Sequence, residues 1–329
     1  MNTLLHDFHI VRPRAVEAAI AARRENACSR FLAGGTDLVV GMRRGLAKPE
    51  TIIDIAGIDE LGGMALGADG ARIGAAVTLA EFAADPAIHA RYRAASEAAA
   101  AVAGPSHRTM ATIGGNLCLD TRCIYYNQSE WWRRSNGYCL KHAGDVCHVA
   151  PQGNRCHAAF SGDLAPALMA LGAAVEIAGP GGRRRMPLCD LYAEDGREHQ
   201  MRADDELLVA VFLPPDAPPS GYLKARIRGG IDFPLAGVAV ALGAENGVVK
   251  TLRVALTGTN ARPFLLAETE SFNGRPLDPA ALQRLDRLVQ KQVQPMRTTL
   301  ASAQYRRLAA SALACRLAAR LFEAGEPPP

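Results

Sequence analysis

Residues 31–38 read FLAGGTDL and residues 112–117 read TIGGNL. Each stretch joins a pair of glycines to small polar residues, and we interpret each as a strand that ends in a glycine turn. Glycine lets the backbone approach a ligand closely, and consecutive N–H groups form a concave site for an anion. One such turn is most often only a turn. Two of them, about 80 residues apart, predict a dinucleotide site, because a pyrophosphate needs a cradle at each end.

The pattern around these turns predicts an α+β chain. Neither turn matches the GxGxxG pattern of a Rossmann fold or the GxxxxGK[ST] pattern of a phosphate-binding loop. The final helix is predicted to pack through Leu300, Leu308, Leu317 and Leu321. The other predicted elements are a strand, turn and helix over 29–45, strands over 50–58, 110–117 and 205–215, a strand and helix over 70–86, a helix over 87–103, a helix and strand over 162–179, a linker over 214–221, and helices over 278–293 and 298–323.

Length and composition limit the class of protein. The chain has 329 residues, 49% of them apolar, which is enough for two domains. Its net charge of +4 and the lack of a dense Lys/Arg stripe argue against a nucleic-acid surface, so we interpret the basic run at 183–185 as a solvated turn. We see neither a signal peptide nor an apolar run of the ~18 residues that a spanning helix needs. We therefore expect a soluble, cytoplasmic protein.

Half of the eight cysteines lie between residues 123 and 156. In a reducing compartment such a group more often binds metal, or is catalytic, than forms disulfides. Three interpretations stay open: a [4Fe-4S] cluster, a structural Zn²⁺, or unrelated buried thiols. The spacing has neither the CxxC of a zinc knuckle nor the compact ferredoxin run. The candidate ligands are Cys123, Cys139, Cys147 and Cys156, with His142, His148 or His157 as alternatives for zinc.

The other residues in and around this segment have simpler interpretations. The aromatic residues are expected to wrap a metal centre in apolar surface and exclude water from it. The single cysteines are expected to be small buried hydrophobic residues. The aromatics are Tyr125, Tyr126, Trp131 and Trp132, and the single cysteines are Cys28, Cys189 and Cys315.

An ordered set of motifs resembles the flavin-binding medium subunit of the molybdenum hydroxylases, and this resemblance covers nearly the whole chain. It implies a two-subdomain FAD-binding domain over 1–216, split near residue 55. A smaller C-terminal domain of three strands and helices would occupy 217–329. The motifs are FLAGGTDLVVGMRRG, IIDIAGIDELGG, RIGAAVTLAEF, MATIGGNL, SGDLAPALMALGA, ELLVAVFLP and SAQYRRLAASALACRLAARL.

The resemblance also assigns flavin contacts. The loop over 31–38 would wrap the pyrophosphate and ribityl chain, and 112–116 would form the second loop. Arg226 and Arg228 stay open as alternatives to Lys224, because the spacing to the following DFPLAGV differs from other branches. The assigned residues are Phe31, Leu32, Ala33, Gly34, Gly35, Thr36, Asp37, Leu38, Val102, Thr112, Ile113, Gly114, Gly115, Asn116, Asp163, Leu208 and Lys224.

The segment from about 119 to 160 resembles an insertion found in one branch of the family, whose flavin subunit carries an additional [4Fe-4S] cluster. That resemblance implies a cluster on the four grouped cysteines, and it leaves Cys118 in the flavin loop. It also implies ferredoxin as electron donor, a small [2Fe-2S] subunit and a large molybdopterin subunit in a dimer of heterotrimers. No Ser/His/Asp, paired-carboxylate or HExxH constellation appears, so substrate chemistry is expected on the large subunit.

Two other functions stay open. The first is an oxidative molybdenum hydroxylase whose flavin subunit carries a zinc-bound insertion. The second is a binding module that has lost its flavin, and the intact TDL and TIGGN residues argue against it.

Overall fold

The computed structural model of the chain describes residues 5–324, and its first layer is a small parallel sheet. The elements of this layer are β1 (His9–Val11), α1 (Val16–Glu25), β2 (Ser29–Leu32), α2 (Leu38–Arg43) and β3 (Thr51–Asp54). The strand order is β1–β3–β2, so β3 is central. Its central position fits the β-branched and buried Ile52 and Ile53.

The second layer is a five-stranded antiparallel sheet of order β4–β5–β8–β6–β7, covered by short helices. Helix α9 is buried along its entire length, as its apolar sequence LAPALMA requires. The elements are β4 (Met64–Gly67), β5 (Gly70–Gly74), α3 (Leu79–Ala84), α4 (Pro86–Arg91), α5 (Arg93–Ala101), α6 (Pro105–Arg108), α7 (Ile113–Leu117), α8 (Glu130–Ser135), α9 (Leu164–Ala170), β6 (Ala174–Gly179), β7 (Gly182–Pro187) and β8 (Leu207–Leu213).

The third layer is an antiparallel sheet of order β12–β11–β10–β9 that two long helices cover. The three expected long strands are present, and the two-residue β12 is added at the edge. The sheet of the third layer packs on α5 and α9 of the second layer, so these two layers share one core. The elements are β9 (Ser220–Ala225), β10 (Ala236–Glu245), β11 (Val248–Thr257), β12 (Phe264–Leu265), α10 (Pro279–Gln292) and α11 (Ala303–Ala324). The architecture confirms the predicted α+β fold.

The helix expected over 87–103 is two helices, α4 and α5. They meet at Tyr92, which leaves helical geometry with φ −130° and ψ 53°. The Tyr92 ring is fully buried and its hydroxyl donates to the Pro214 carbonyl at 2.9 Å. Asp85 caps the first of these helices by accepting from the Ala87 and Ile88 amides, and Pro86 occupies its first turn. A tertiary contact of Tyr92 therefore interrupts a run whose local propensity is helical throughout.

Two further expectations need correction. The final helix begins at Ala303, and Leu300 before it is 88% exposed, so only Leu317 and Leu321 of the four predicted leucines are buried. The basic run at 183–185 lies in strand β7, which pairs with β6, rather than in a turn. Its side chains are exposed, and two of them pair with glutamates. Arg183 reaches Glu17, Glu60 and Glu176, and Arg184 reaches Glu206. Within residues 5–324, none of the helices has the length and apolar character needed to cross a membrane.

Candidate functional site

The two glycine loops contact each other directly. A Cβ atom built on Gly34 would lie 1.6 Å from the carbonyl oxygen of Met110, so only glycine permits this approach of the two backbones. The next residue, Gly35, has φ +71°, a left-handed conformation that also favours glycine. The segment 31–38 is half-buried and leads into α2. The sequence prediction that these loops share one site therefore fits their contact in the fold.

The second loop begins a helix, and the prediction that it ends a strand is wrong. The Thr112 hydroxyl accepts from the Gly115 amide at 3.1 Å and so caps α7. The Gly114 amide donates to the Ala75 carbonyl at 2.8 Å, which holds α7 against the end of β5. Of the five residues 112–116, only Gly115 is exposed. This glycine therefore presents its backbone at the surface of the site.

Two of the predicted flavin contacts, Asp163 and Lys224, meet in a buried polar cluster. The Lys224 ammonium lies 2.9 Å from Asp163 Oδ1 and donates to the Ala101 carbonyl at 2.7 Å, beside the half-buried Val102. The Tyr222 hydroxyl donates to the same Asp163 oxygen at 2.7 Å. Burial raises the pKa of Asp163, while the Lys224 ammonium and the Tyr222 hydroxyl act to lower it.

The structure separates Lys224 from its two sequence alternatives. Arg226 is exposed. Arg228 donates to the Ile231 carbonyl at 2.8 Å and lies 3.7 Å from Asp232. Among the three basic residues, only Lys224 has its charged group paired with Asp163.

Two further predicted contacts, Asn116 and Leu208, are buried. Asn116 Oδ1 accepts from the Leu164 amide at 3.2 Å, which ties α7 to the start of α9. Leu208 is buried in β8, opposite Ile177. A cavity of about 400 Å³ opens beside the second loop, and the Val77 carbonyl in its wall accepts from the Ile113 amide at 2.9 Å. Its other lining residues, which the sequence reasoning missed, are Ala56, Ile58, Asp59, Gly62, Gly63, Met64, Ala76 and Glu81.

The cysteine-bearing segment closes on itself at its base. Arg122 and Ala159 form an antiparallel bridge, with N–H to carbonyl distances of 2.7 and 2.8 Å. The Arg122 guanidinium pairs with Asp37 of the first glycine loop and stacks on the Phe233 ring, 4.7 Å from its centroid. The segment is therefore anchored directly beside the glycine loops.

All four predicted cysteine ligands line one small cavity inside this segment. Burial raises the pKa of the Cys123 thiol to about 11 and that of Cys156 to about 12, so a metal would have to displace their protons. Of the alternative histidines, only His148 lines the cavity. Among the residues the structure describes, no three His, Cys, Asp or Glu side chains form a group compact enough for a single metal ion.

The predicted wrap of aromatic side chains around the cavity is only partly present. Tyr125 and Tyr126 line the cavity, and the half-buried Trp132 lies 6.4 Å from Tyr125, measured between ring centroids. The expectation for Trp131 is wrong, because its side chain is 76% exposed on the outer face of α8. The expectation of burial is also wrong for the single cysteines, since Cys28 is exposed and Cys189 and Cys315 are half-buried. Cys118 is half-buried and does not line the cavity.

Comparison with known proteins decides the family. Residues 6–216 match the family described as the FAD binding domain in molybdopterin dehydrogenase. Residues 221–321 match the CO dehydrogenase flavoprotein C-terminal domain. The chain belongs to the FAD-binding medium subunits of the molybdenum hydroxylase family. It is thus an oxidoreductase subunit that binds FAD, which confirms the family resemblance found in the sequence.

Individual relatives agree with this family. The aldehyde oxidoreductase FAD-binding subunit of Escherichia coli (strain K12) is 33% identical over 269 residues, which cover 78% of this chain and 82% of the relative. The carbon monoxide dehydrogenase medium chain of Afipia carboxidovorans is 28% identical, with 91% of each chain covered. A solved structure of CO dehydrogenase from Oligotropha carboxidovorans superposes with a TM-score of 0.78 at 25% identity, covering 98% of this chain and all of its counterpart.

The residues at the site suit FAD. Gly34 lets the two loop backbones meet, and the exposed Gly115 presents a backbone N–H group of the kind that binds a phosphate. Sequence reasoning missed Arg122 and Tyr222, which hold Asp37 and Asp163. Arg122 carried a usable signal, since it is the basic residue directly before Cys123. Tyr222 carried none, because its partner is distant in the sequence.

Proposed function

We propose that this chain is the electron-transfer flavin and iron–sulfur subunit of a 4-hydroxybenzoyl-CoA reductase. Such an enzyme removes the phenolic hydroxyl reductively and yields benzoyl-CoA on a large molybdopterin subunit. The electrons would come from ferredoxin and leave through a small [2Fe-2S] subunit. When bound, a [4Fe-4S] cluster would pass single electrons, and FAD would exchange single electrons with electron pairs.

One observation carries the proposal: four thiols share one cavity in a segment that is anchored to a flavin loop. The Arg122–Asp37 ion pair joins the base of the segment to the loop over 31–38. Cys123, the first thiol, directly follows Arg122 in the sequence. A redox centre in the cavity would therefore lie beside the FAD site, which suits a chain that takes electrons from outside and delivers them to flavin.

The donor set fits a [4Fe-4S] cluster. Four soft thiolates are the ligands that such clusters use. A tetrahedral Zn²⁺ with bonds of about 2.3 Å would draw four sulfurs to within about 3.8 Å of one another. In the described residues the cysteines surround a cavity without forming a single-ion group. A cluster would place each of the four cysteines on a different iron.

This chain's own residues would position and shield the flavin. Residues 31–38 and 112–116 would hold the pyrophosphate and ribityl chain, and the apolar Val102 and Leu208 would contact the cofactor. Lys224 holds the Asp163 carboxylate in place from the C-terminal layer, so that a flavin hydrogen bond to Asp163 would have a fixed direction. Residues 1–216 would act as the FAD-binding domain and 217–329 as the C-terminal domain.

Metal and cofactor analysis of the chain purified anaerobically tests this function. We expect one FAD with about four irons and four acid-labile sulfides, and an electron paramagnetic resonance signal from the reduced cluster. One zinc without sulfide would contradict the cluster. If the chain has a cluster, the complex that co-purifies with it should bind 4-hydroxybenzoyl-CoA or reduce it with ferredoxin as electron donor. Activity with CO or xanthine instead would refute the substrate assignment.

A second function has its own support, since the relatives above are named as an aldehyde oxidoreductase subunit and a carbon monoxide dehydrogenase chain. The chain would then be the FAD subunit of an oxidative molybdenum hydroxylase, with a zinc-bound insertion. Electrons would leave the complex through the flavin rather than enter it. The metal analysis separates the two functions, because only this one expects zinc and no sulfide.

A further inference from the structure

Two cationic side chains are buried behind the thiol cavity. The Lys141 side chain is 5% exposed and that of Arg133 is 2% exposed. Both lie near the ring of Tyr126, with the Lys141 ammonium 4.9 Å and the Arg133 guanidinium 5.8 Å from its centroid. Tyr126 and Lys141 both line the cavity that the four cysteines share. Lys141 thus places positive charge in the wall of the thiol cavity, and Arg133 lies near the Tyr126 ring of the same wall.

The Lys141 ammonium is held in a fixed position. It donates to Asp120 Oδ1 at 2.7 Å, to the Thr121 hydroxyl at 2.5 Å and to the Gly196 carbonyl at 2.6 Å. Three acceptors match the three donors of an ammonium group. Its carboxylate partner, Asp120, is 41% exposed and so is screened by solvent on its far side. The Lys141 ammonium, in contrast, is almost completely shielded from solvent.

Arg133 has a similar arrangement with fewer partners. Its Nη2 atom donates to Glu130 at 2.5 Å and to the Gly45 carbonyl at 2.8 Å. Its Nε and Nη1 atoms are buried and make no hydrogen bond within the described residues. Glu130, like Asp120, is partly solvated, with 43% of its side chain exposed. The Arg133 charge is therefore only partly compensated by its carboxylate.

A buried cation is unfavourable unless negative charge lies nearby. Four cysteine thiolates around an iron–sulfur core carry a net negative charge, and reduction by one electron adds to it. Fixed positive charge in a poorly solvated wall stabilises the more negative, reduced state and raises the reduction potential. Lys141 in the cavity wall and Arg133 near the Tyr126 ring therefore carry the charge that stabilises a reduced thiolate centre.

We propose that Lys141, supported by Arg133, is the counter-charge that sets the reduction potential of the centre held by the four cysteines. This inference rests on the proposed function, since it requires a cluster in the cavity. Lys141 acts through space as a potential-tuning residue. Its hydrogen bonds hold the ammonium at the cavity wall, and its charge favours the state that has gained an electron.

The test is a redox titration of the anaerobically purified full chain, with dithionite as electron source and the cluster's paramagnetic signal as readout. K141Q keeps hydrogen-bond donors and removes the charge, K141R keeps the charge, and R133Q probes the supporting cation. K291M, at an exposed lysine in α10, is the control. We expect K141Q to decrease the equilibrium constant for reduction about tenfold, a shift of about 59 mV for one electron. R133Q should shift it in the same direction, and K141R and K291M should resemble the wild type.

Each outcome decides the inference. Loss of the cluster in K141Q with retention in K141R also supports a need for the charge. Equal potentials in K141Q and wild type, or equal shifts in K141R and K141Q, would overturn it while leaving the cluster itself established. Loss of the cluster in K141Q, K141R and R133Q alike would assign packing roles and overturn it. Wild-type chain without iron would overturn the proposed cluster, and this inference with it.

Discussion

The Lys224 ammonium lies 2.9 Å from Asp163 Oδ1, and each side chain is 4% exposed. Lys224 belongs to β9 of the C-terminal sheet, whereas Asp163 directly precedes α9 in the second layer. One buried ion pair therefore fixes the predicted flavin contact across the junction of two sheets. Tyr222, two residues before Lys224 on the same strand, adds the second bond to Asp163.

Lys224→Met is expected to destabilise the chain by about 3–5 kcal/mol, because it leaves the Asp163 carboxylate buried without its partner. FAD content should fall with it. Chemical unfolding and the flavin-to-protein absorbance ratio measure the two effects. Asp163→Asn in the Lys224→Met background removes the uncompensated charge and should recover part of the stability. Arg226→Met, at the exposed neighbour, is the control. A larger loss of FAD in Arg226→Met than in Lys224→Met would assign the flavin contact to Arg226.

Gly34→Ala is expected to reduce both stability and FAD content. The new Cβ would meet the Met110 carbonyl at 1.6 Å, so one of the two glycine loops must move. We expect a loss of about 1–3 kcal/mol or more in unfolding free energy. Gly41→Ala, inside α2, is the matched control, since no atom lies within 4 Å of its Cβ position. It should stabilise α2 by about 0.5–1 kcal/mol and keep FAD. Normal flavin absorbance in Gly34→Ala would refute the importance of the loop contact.

The form of the first glycine loop was predictable because its strand, glycine pair and helix follow one another directly along the chain. The second was not, because the same glycine pair serves a helix start. What separates the two cases is the capping hydroxyl of Thr112 and a backbone bridge from Thr112 to Thr78, a partner distant in the sequence. Local pattern alone does not report such a contact.

The cysteine cavity was predictable as a group of residues but not as a geometry. The spacing of four thiols without a CxxC pair gives no distances between them. The Arg122–Ala159 bridge that closes the base of the segment joins residues distant in the sequence. Trp131 misled because aromatic character was taken to mean burial, whereas helix α8 directs this side chain to solvent and Arg133 inward. Burying an arginine in place of a tryptophan has no signature in composition.

Cys139→Ser is expected to abolish the cluster's paramagnetic signal and leave FAD bound. Cys139 lines the thiol cavity, while the two glycine loops are held by contacts that do not include it, such as the approach of Gly34 to Met110. Iron, sulfide and flavin are measured on the same sample. Cys28→Ser, at an exposed cysteine outside the segment, should keep all three. Equal loss of iron and flavin in Cys139→Ser would contradict separate binding sites.

His199 is expected to make stability depend on pH between about 6.5 and 4. Burial lowers the pKa of His199 to about 4, against the opposing charge of Asp120, and its Nε2 lies 3.1 Å from the Leu119 carbonyl. The unfolded chain, with an ordinary imidazole pKa near 6.5, binds more protons in this window. The contribution of the buried, neutral His199 to the free energy of unfolding is therefore fully present above pH 6.5. It is lost as the pH falls towards 4, by about 3 kcal/mol in all.

His199→Gln tests this dependence, because glutamine keeps a donor for Leu119 and cannot gain the imidazolium charge. Unfolding free energy, measured by denaturant titration at several pH values, should fall less steeply in this variant between pH 6.5 and 4. Subtracting the wild-type curve removes the contribution of carboxylates that titrate in both proteins. His9→Gln, at an exposed histidine, should follow the wild type. Parallel curves for His199→Gln and wild type would mean that the imidazole gains its proton without unfolding the segment around Leu119, and the predicted linkage would be wrong.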